Sequence, residues 1–193
     1  MSGVCDWADV RLTPVDDADL EKLNAWQNDP AIRDLTMGFR GPVATEITKQ
    51  WIDGVRAQNL HSRILYAIRH GGALKGVCQI HSIDWPHRKG FFGIYIGDST
   101  DRAAGLGYMA TTLLLDYAFR GLDFERVGIE VIAPNVKAKS LYEGLGFVRE
   151  GALRQAYFHN GARVDIDLYG MLKSEWRHAP PEGANRLVHA SAA

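Results

Sequence analysis

The sequence predicts an α+β fold, a mixed, mostly antiparallel sheet flanked by helices. Three observations lead there. Residues 64–96 hold three strand-like runs joined by short turns, with no helix between them. Residues 93–147 then read as strand, helix, strand, helix. A late pair of strand-like runs, 153–158 and 164–171, flanks Asn160-Gly161, a dipeptide suited to a tight hairpin. A meander followed by one crossover half gives a mixed sheet, not a purely parallel one.

The elements follow in order. Val10-Arg11-Leu12 alternates as a short strand, closed by Thr13-Pro14. Asp16 and Asp17 open a helix, where acidic groups offset the dipole. Leu20, Leu23 and Trp26 keep helical spacing until Asn28-Asp29-Pro30 stops them. Ile32, Leu35, Met37 and Phe39 show no clear period; they form either a short helical turn or a loop over a pocket. Pro42 and Thr45-Glu46 start a second helix with Ile47, Trp51, Ile52 and Val55 on one face.

The meander is next. Its strands are 64–68, 74–83 and 91–96, its turns His70-Gly71-Gly72 and 84–88. In the middle strand Val77, Gln79 and His81 alternate against Cys78, Ile80 and Ser82. The third strand ends at Gly97, a polar loop follows, and residues 102–107 open a helix whose buried stripe is Leu113, Leu114, Tyr117 and Ala118. Gly121 ends it. In the next strand Val127, Ile129, Val131 and Ala133 alternate with Gly128, Glu130 and Ile132, and a short helix spans about residues 136–144. One domain is expected over 1–176, with a loose tail at 177–193 rich in Pro, Ala and small polar residues.

Composition excludes several classes. Twenty-two basic against 23 acidic residues give a net charge of −1, which favours neither nucleic acid nor an anionic membrane. Cys5 and Cys78 make no disulfide framework and no metal spacing, so no metal is expected. Cys78 reads as a small buried hydrophobe. The start lacks a basic segment followed by an apolar run, no apolar stretch is long enough to span a membrane, and a cytoplasmic protein is expected.

The chemistry-bearing block is 93–147. Gly105 and Gly107 keep side-chain bulk away from a helix start, where backbone N–H groups can face a phosphate. Arg102-Ala-Ala-Gly105-Leu-Gly107 matches the pattern (Gln/Arg)-x-x-Gly-x-(Gly/Ala). Farther on, Asn135-Val-Lys-Ala138-Lys-Ser-Leu-Tyr142-Glu-Gly-Leu-Gly146-Phe147 matches Asn-x-x-Ala-(x)3-Tyr-(x)3-Gly-Phe. In this order, with strand and helix between them, the two resemble the signatures of the GCN5-related N-acetyltransferase (GNAT) family. The opening RLTPVDDADLEKL and the late EGALRQAYFHNGARVDIDLYGML look most like its RimJ/RimL branch.

The resemblance implies a GNAT fold and acetyl transfer from acetyl-CoA to a primary amine. It implies that the backbone of Arg102, Ala103, Ala104, Gly105, Leu106 and Gly107 holds the pyrophosphate. The main chain of Ile94, Tyr95 and Ile96 would pair with the pantetheine arm, Asn135 would contact it, and Lys139 would neighbour a phosphate. Tyr142 would protonate the departing thiolate. The chemistry asks for such groups: a thiol of pKa about 8.5 leaves more readily with a proton donor, and an amine of pKa about 10.4 must lose a proton before attack.

The sequence departs from the family pattern at Phe91, where many relatives carry a strand glutamate. Glu130, five residues before Asn135, is the replacement base, with His81 second and a water chain third. Phe39, His81, Trp85 and Tyr157 are candidate acceptor-side residues. The acceptor is a small-molecule amine (amino sugar, polyamine, amine-bearing antibiotic or nucleotide conjugate) or a peptide N-terminus. No Cys lies in either motif, which favours direct attack in a ternary complex over an acyl-cysteine. A non-catalytic CoA-binding sensor or interaction module is the alternative, supported only by Phe91. The late hairpin would serve a homodimer, which nothing in the chain requires.

Overall fold

The computed structural model describes residues 6–38, 41–57, 61–103, 105–182 and 184. One seven-stranded sheet holds β1 (Val10–Thr13), β2 (Arg63–His70), β3 (Ala73–Asp84), β4 (Lys89–Ile96), β5 (Arg126–Ile132), β6 (Val148–His159) and β7 (Ala162–Leu172). Their order is β1-β2-β3-β4-β5-β7-β6, so the late hairpin enters with β7 beside β5. The helices are α1 (Leu20–Asn28), α2 (Pro30–Arg33), α3 (Thr45–Ala57), α4 (Ser99–Ala103), α5 (Leu106–Asp116) and α6 (Val136–Gly144).

Alternation sorts the sheet into two faces. Ile64, Tyr66, Cys78, Ile80, Phe92, Ile129 and Val131 face one core, with Leu106, Leu113 and Leu114 of α5 and Tyr142 of α6. Cys78 is fully buried there, and burial pushes its thiol up. Ala67 and Val77 face the other way, against Leu23 and Trp26 of α1, Ile32 of α2 and Ile52 of α3. On that second face Gln79 lies across from Leu65 and Gly93, and His81 across from Arg63 and Phe91.

All pairings are antiparallel except β4 with β5. That parallel pairing is short: Lys89–Arg126, Gly90–Val127 and Phe91–Gly128, and then it stops. From Phe92 to Ile96 and from Ile129 to Ile132 the strands splay, and a gap opens through the sheet. The far flank of β5 is fully paired with β7, from Arg126–Leu172 to Ile132–Ile166. Asp167 on β7 is buried and accepts from Arg149 (2.6 Å) on β6 and Lys139 (3.2 Å) on α6. Burial raises its pKa, but the two hydrogen-bonded cations outweigh that and hold it below the usual carboxylate range.

Several boundaries differ from expectation, each for a local reason. The polar loop after Gly97 carries a helical turn, α4, which contains Arg102; the main helix begins only at Leu106, because Gly105 is left-handed at φ +82 and separates the two. The helix then ends at Asp116 and continues as a π-helical turn, Tyr117–Gly121. The late strands are longer than their apolar runs, since β6 pairs with β7 already from Val148 and resumes at Tyr157 after an irregularity at 154–156. The chain rejoins the core at Trp176, whose ring lies 5.8 Å from Phe119 and whose Nε1–H donates to Asp116 (3.3 Å). Cys5 and Phe39 lie outside the described residues.

Candidate active site

The gap between β4 and β5 joins two clefts. The first, of about 780 Å³, is lined by Ile94, Tyr95 and Ile96 of β4, Arg102, Gly105 and Gly107, Asn135, Lys137 and Leu141, and Tyr142. Among the described residues, the N–H groups of Leu106, Gly107 and Tyr108 at the start of α5 have no hydrogen-bond partner; the next, of Met109, donates back to Gly105 (3.2 Å). Among the described residues, no side chain caps this end. A Cβ at Gly105 would meet nothing within 4 Å, and one at Gly107 only Leu141 and Ile96 at 3.8 and 4.0 Å. Open space over free N–H groups at the positive end of an 11-residue helix suits a diphosphate.

The other features also fit acetyl-CoA. Beyond Phe91, the edge of β4 that faces the gap has no strand partner, so its main chain can pair with an amide-bearing arm. Arg102 Nη2 donates to Gly97 O (3.3 Å), and its Nε is buried without a hydrogen-bond partner. Asn135 is committed twice: Oδ1 caps α6 at Ala138 N–H (3.2 Å), and Nδ2 donates to Leu35 O (3.1 Å). It therefore shapes the cleft wall by tying α6 to the segment after α2. Ala104 lies outside the described residues, and Leu106 is fully buried in the core.

Lys139 requires correction. It turns to Asp167 and does not line the cleft; Lys137 does. Residues two apart on a helix point in nearly opposite directions, so both lysines cannot face one ligand.

Gly105→Ala tests this helix start. With no steric clash, its cost is that of a left-handed alanine, about 1–2 kcal/mol. The affected turn aims the first amides of α5, so calorimetric titration should show CoA binding several-fold weaker. Unchanged affinity would detach that turn from the ligand.

Tyr142 belongs to both clefts. Its ring packs edge-on to Phe92 (6.3 Å) and Phe147 (5.9 Å), and burial pushes its hydroxyl pKa up, so it stays protonated. The second cleft, of about 650 Å³, opens on the other side of the gap. Trp26, Thr36 and Trp51 line it from the helical layer; Arg63, Gln79, His81, Phe91, Gly93 and Tyr95 line it from the sheet, with Glu130 at the rim. Both proposed bases reach this cavity. Glu130 is exposed, two residues past the last β4–β5 pair, so it flanks the open gap. His81 is one strand farther off, stacked on Phe91 at 6.0 Å, with Nδ1 3.1 Å from Ser82 Oγ. Burial, then Arg63, lowers its pKa, so its imidazole is neutral near pH 7. Phe91 also covers Gly128, where a Cβ would touch its ring at 2.9 Å.

Two acceptor-side expectations change. Trp85 donates to His61 O (2.9 Å) and packs edge-on to Phe124 at 5.5 Å, away from both clefts. Tyr157 lines neither cleft; its hydroxyl donates to Thr36 O (3.1 Å) and ties β6 to a shared wall. Trp26, Arg33, Arg63 and Gln79 were missed. Only Gln79 had a signal, a polar residue alternating with His81 on a strand.

Comparisons with known proteins show the family and the fold. Residues 9–148 match the family model described as acetyltransferase (GNAT) domain. Bacillus subtilis YdaF, named as a candidate ribosomal N-acetyltransferase, is 29% identical over 138 residues, 72% of this chain and 71% of YdaF. The spermidine N(1)-acetyltransferase of Vibrio cholerae is 33% identical over 105 residues, covering 53% of this chain and 59% of that protein. The crystal structure of a V. cholerae spermidine N-acetyltransferase in complex with CoA and spermine superposes with a TM-score of 0.79 at 24% identity, covering 87% of this chain and 98% of that one.

Proposed function

The chain belongs to the acetyltransferase (GNAT) domain family, and from that membership we propose the course of its reaction: a primary amine, bound in the second cleft, attacks the thioester of acetyl-CoA bound in the first. The observation that carries this reading is the gap between β4 and β5, where the two clefts meet at Tyr142. Acetyl-CoA supplies an activated acyl carbon. The protein orients it, excludes water and moves two protons.

The amine nitrogen forms the new C–N bond as the C–S bond breaks, and that electron pair goes to sulfur. Tyr142, kept protonated by burial, gives its proton to the sulfur. Main-chain N–H groups on the unpaired edge of β4 offset charge on the carbonyl oxygen. Glu130, which flanks the gap, takes the amine's proton directly or through water. His81 stands behind Phe91 and is the second choice. The relatives named for ribosomal and spermidine acetylation frame the acceptor as a peptide N-terminus or a small amine.

An acceptor screen with acetyl-CoA, read by thiol release and product mass, tests the reading; no acetylation of any amine would overturn it. Glu130→Gln tests the base. Its deficit should be largest at and below neutral pH, and should shrink as pH nears about 10.4, where amines deprotonate unaided. CoA affinity should be unchanged. If the profile of Glu130→Gln matches the parent, the role passes to His81, whose lowered pKa would put the acid limb below pH 6.5.

A further inference from the structure

We propose that the acceptor is an amine that also carries an anionic group, a carboxylate or a phosphate, on a flat or apolar body, and that Arg63 reads the anion. The inference rests on the acceptor reading of the second cleft. The charged side chains among its described lining residues are Arg33, Arg63 and Glu130. Arg63 has no ion-pair partner among the described residues, whereas Arg56, Arg69, Arg88, Arg126 and Arg149 do. It is half-buried and lies directly across β2–β3 from His81, which is neutral near pH 7 and does not cancel it. A half-buried guanidinium without an ion-pair partner among the described residues favours an anion as its ligand.

The same wall gives the orientation. Gln79 Oε1 is buried without a hydrogen-bond partner and lies across from Gly93, beside the gap. It can accept from an incoming N–H, which places the amine end there. Arg63 is two strands over and two residues along, about 12 Å between Cα atoms by sheet spacing. Its side chain spans about half of that, so the anion sits several bonds from the reacting nitrogen. Trp26, Trp51 and Phe91 wall the space between and suit an apolar or aromatic body.

Matched probes test this. Benzylamine and 4-(aminomethyl)benzoate differ by a carboxylate, tyramine and tyramine phosphate by a phosphate, and spermidine is the polycation. Acetyl transfer and quenching of tryptophan fluorescence are both read, since Trp26 and Trp51 line the cavity. The anionic member of at least one pair should bind about tenfold more tightly than its neutral partner. Which pair responds distinguishes carboxylate from phosphate. The preference should vanish in Arg63→Gln and survive largely in Arg63→Lys, which also controls for folding.

Equal binding within both pairs, tighter binding of spermidine, or a preference untouched by Arg63→Gln would each overturn the proposal. Anion-selective quenching without transfer to any amine would overturn the transferase reading, and with it the acceptor, and leave only the recognition of the anion by Arg63 standing.

Discussion

Tyr142→Phe is expected to lower kcat/KM at pH 7 by about 100-fold or more, the range of a lost general acid. CoA affinity and thermal stability should change little. The ring packing against Phe92 and Phe147 survives the substitution, and the hydroxyl has no hydrogen-bond partner among the described residues. The pH dependence separates this role from a packing defect. A thiolate leaves unaided more easily above its own pKa of about 8.5, so the deficit should narrow above that pH. A deficit constant from pH 6 to 10 would mean that Tyr142 positions the thioester without protonating the sulfur. An unchanged rate at pH 7 would remove it from the reaction.

The cleft at the start of α5 was legible because its geometry is local in sequence. A helix start needs Gly105 and Gly107 within one turn, and α6 needs Asn135 as cap with Tyr142 two turns on; each is a contiguous string. Local reading failed where a side chain's direction depends on tertiary partners. Lys139 goes to Asp167, a residue on β7 that the motif does not contain. Asn135 reaches Leu35, 100 positions away in the chain.

The acceptor cavity is harder still, because it has no string of its own. Trp26 comes from α1, Thr36 from the segment after α2, Trp51 from α3, Arg63 from β2 and Gln79 from β3. Each looks ordinary in its own element. Trp26 reads as the apolar stripe of a helix and Arg63 as the polar start of a strand. Only the strand pairings set Arg63, His81 and Phe91 side by side, and only the end of the β4–β5 pairing makes that surface a cavity.

The same non-local packing sets the second large effect, that of Gly97→Ala. Gly97 follows β4 and lies fully against Trp26 of α1, so a Cβ there would fall inside the indole ring. The ring can retreat only towards the acceptor cavity that it lines. Tyr95 meets it edge-on at 6.2 Å, and Lys22 lies over it at 5.0 Å. Gly97 is itself held, by its N–H to Lys75 O (2.8 Å) and by Arg102 at its carbonyl. Overpacking of this kind costs about 1–3 kcal/mol, or a Tm lower by about 2–12 °C at this chain length. Because Trp26 lines the acceptor cavity, KM for the amine should rise as well. Trp26→Leu in the same chain should return much of the stability, a coupling that arises only if the two positions collide. Gly93→Ala is the contrast. The atoms nearest its Cβ would all belong to the flexible side chain of Gln79, at 3.4 Å and beyond, so Tm should hold while the added methyl group narrows the cavity beside the gap. If Gly97→Ala melts with the parent and binds amines as well, α1 is not seated on the end of β4, and the acceptor wall must be built from other residues.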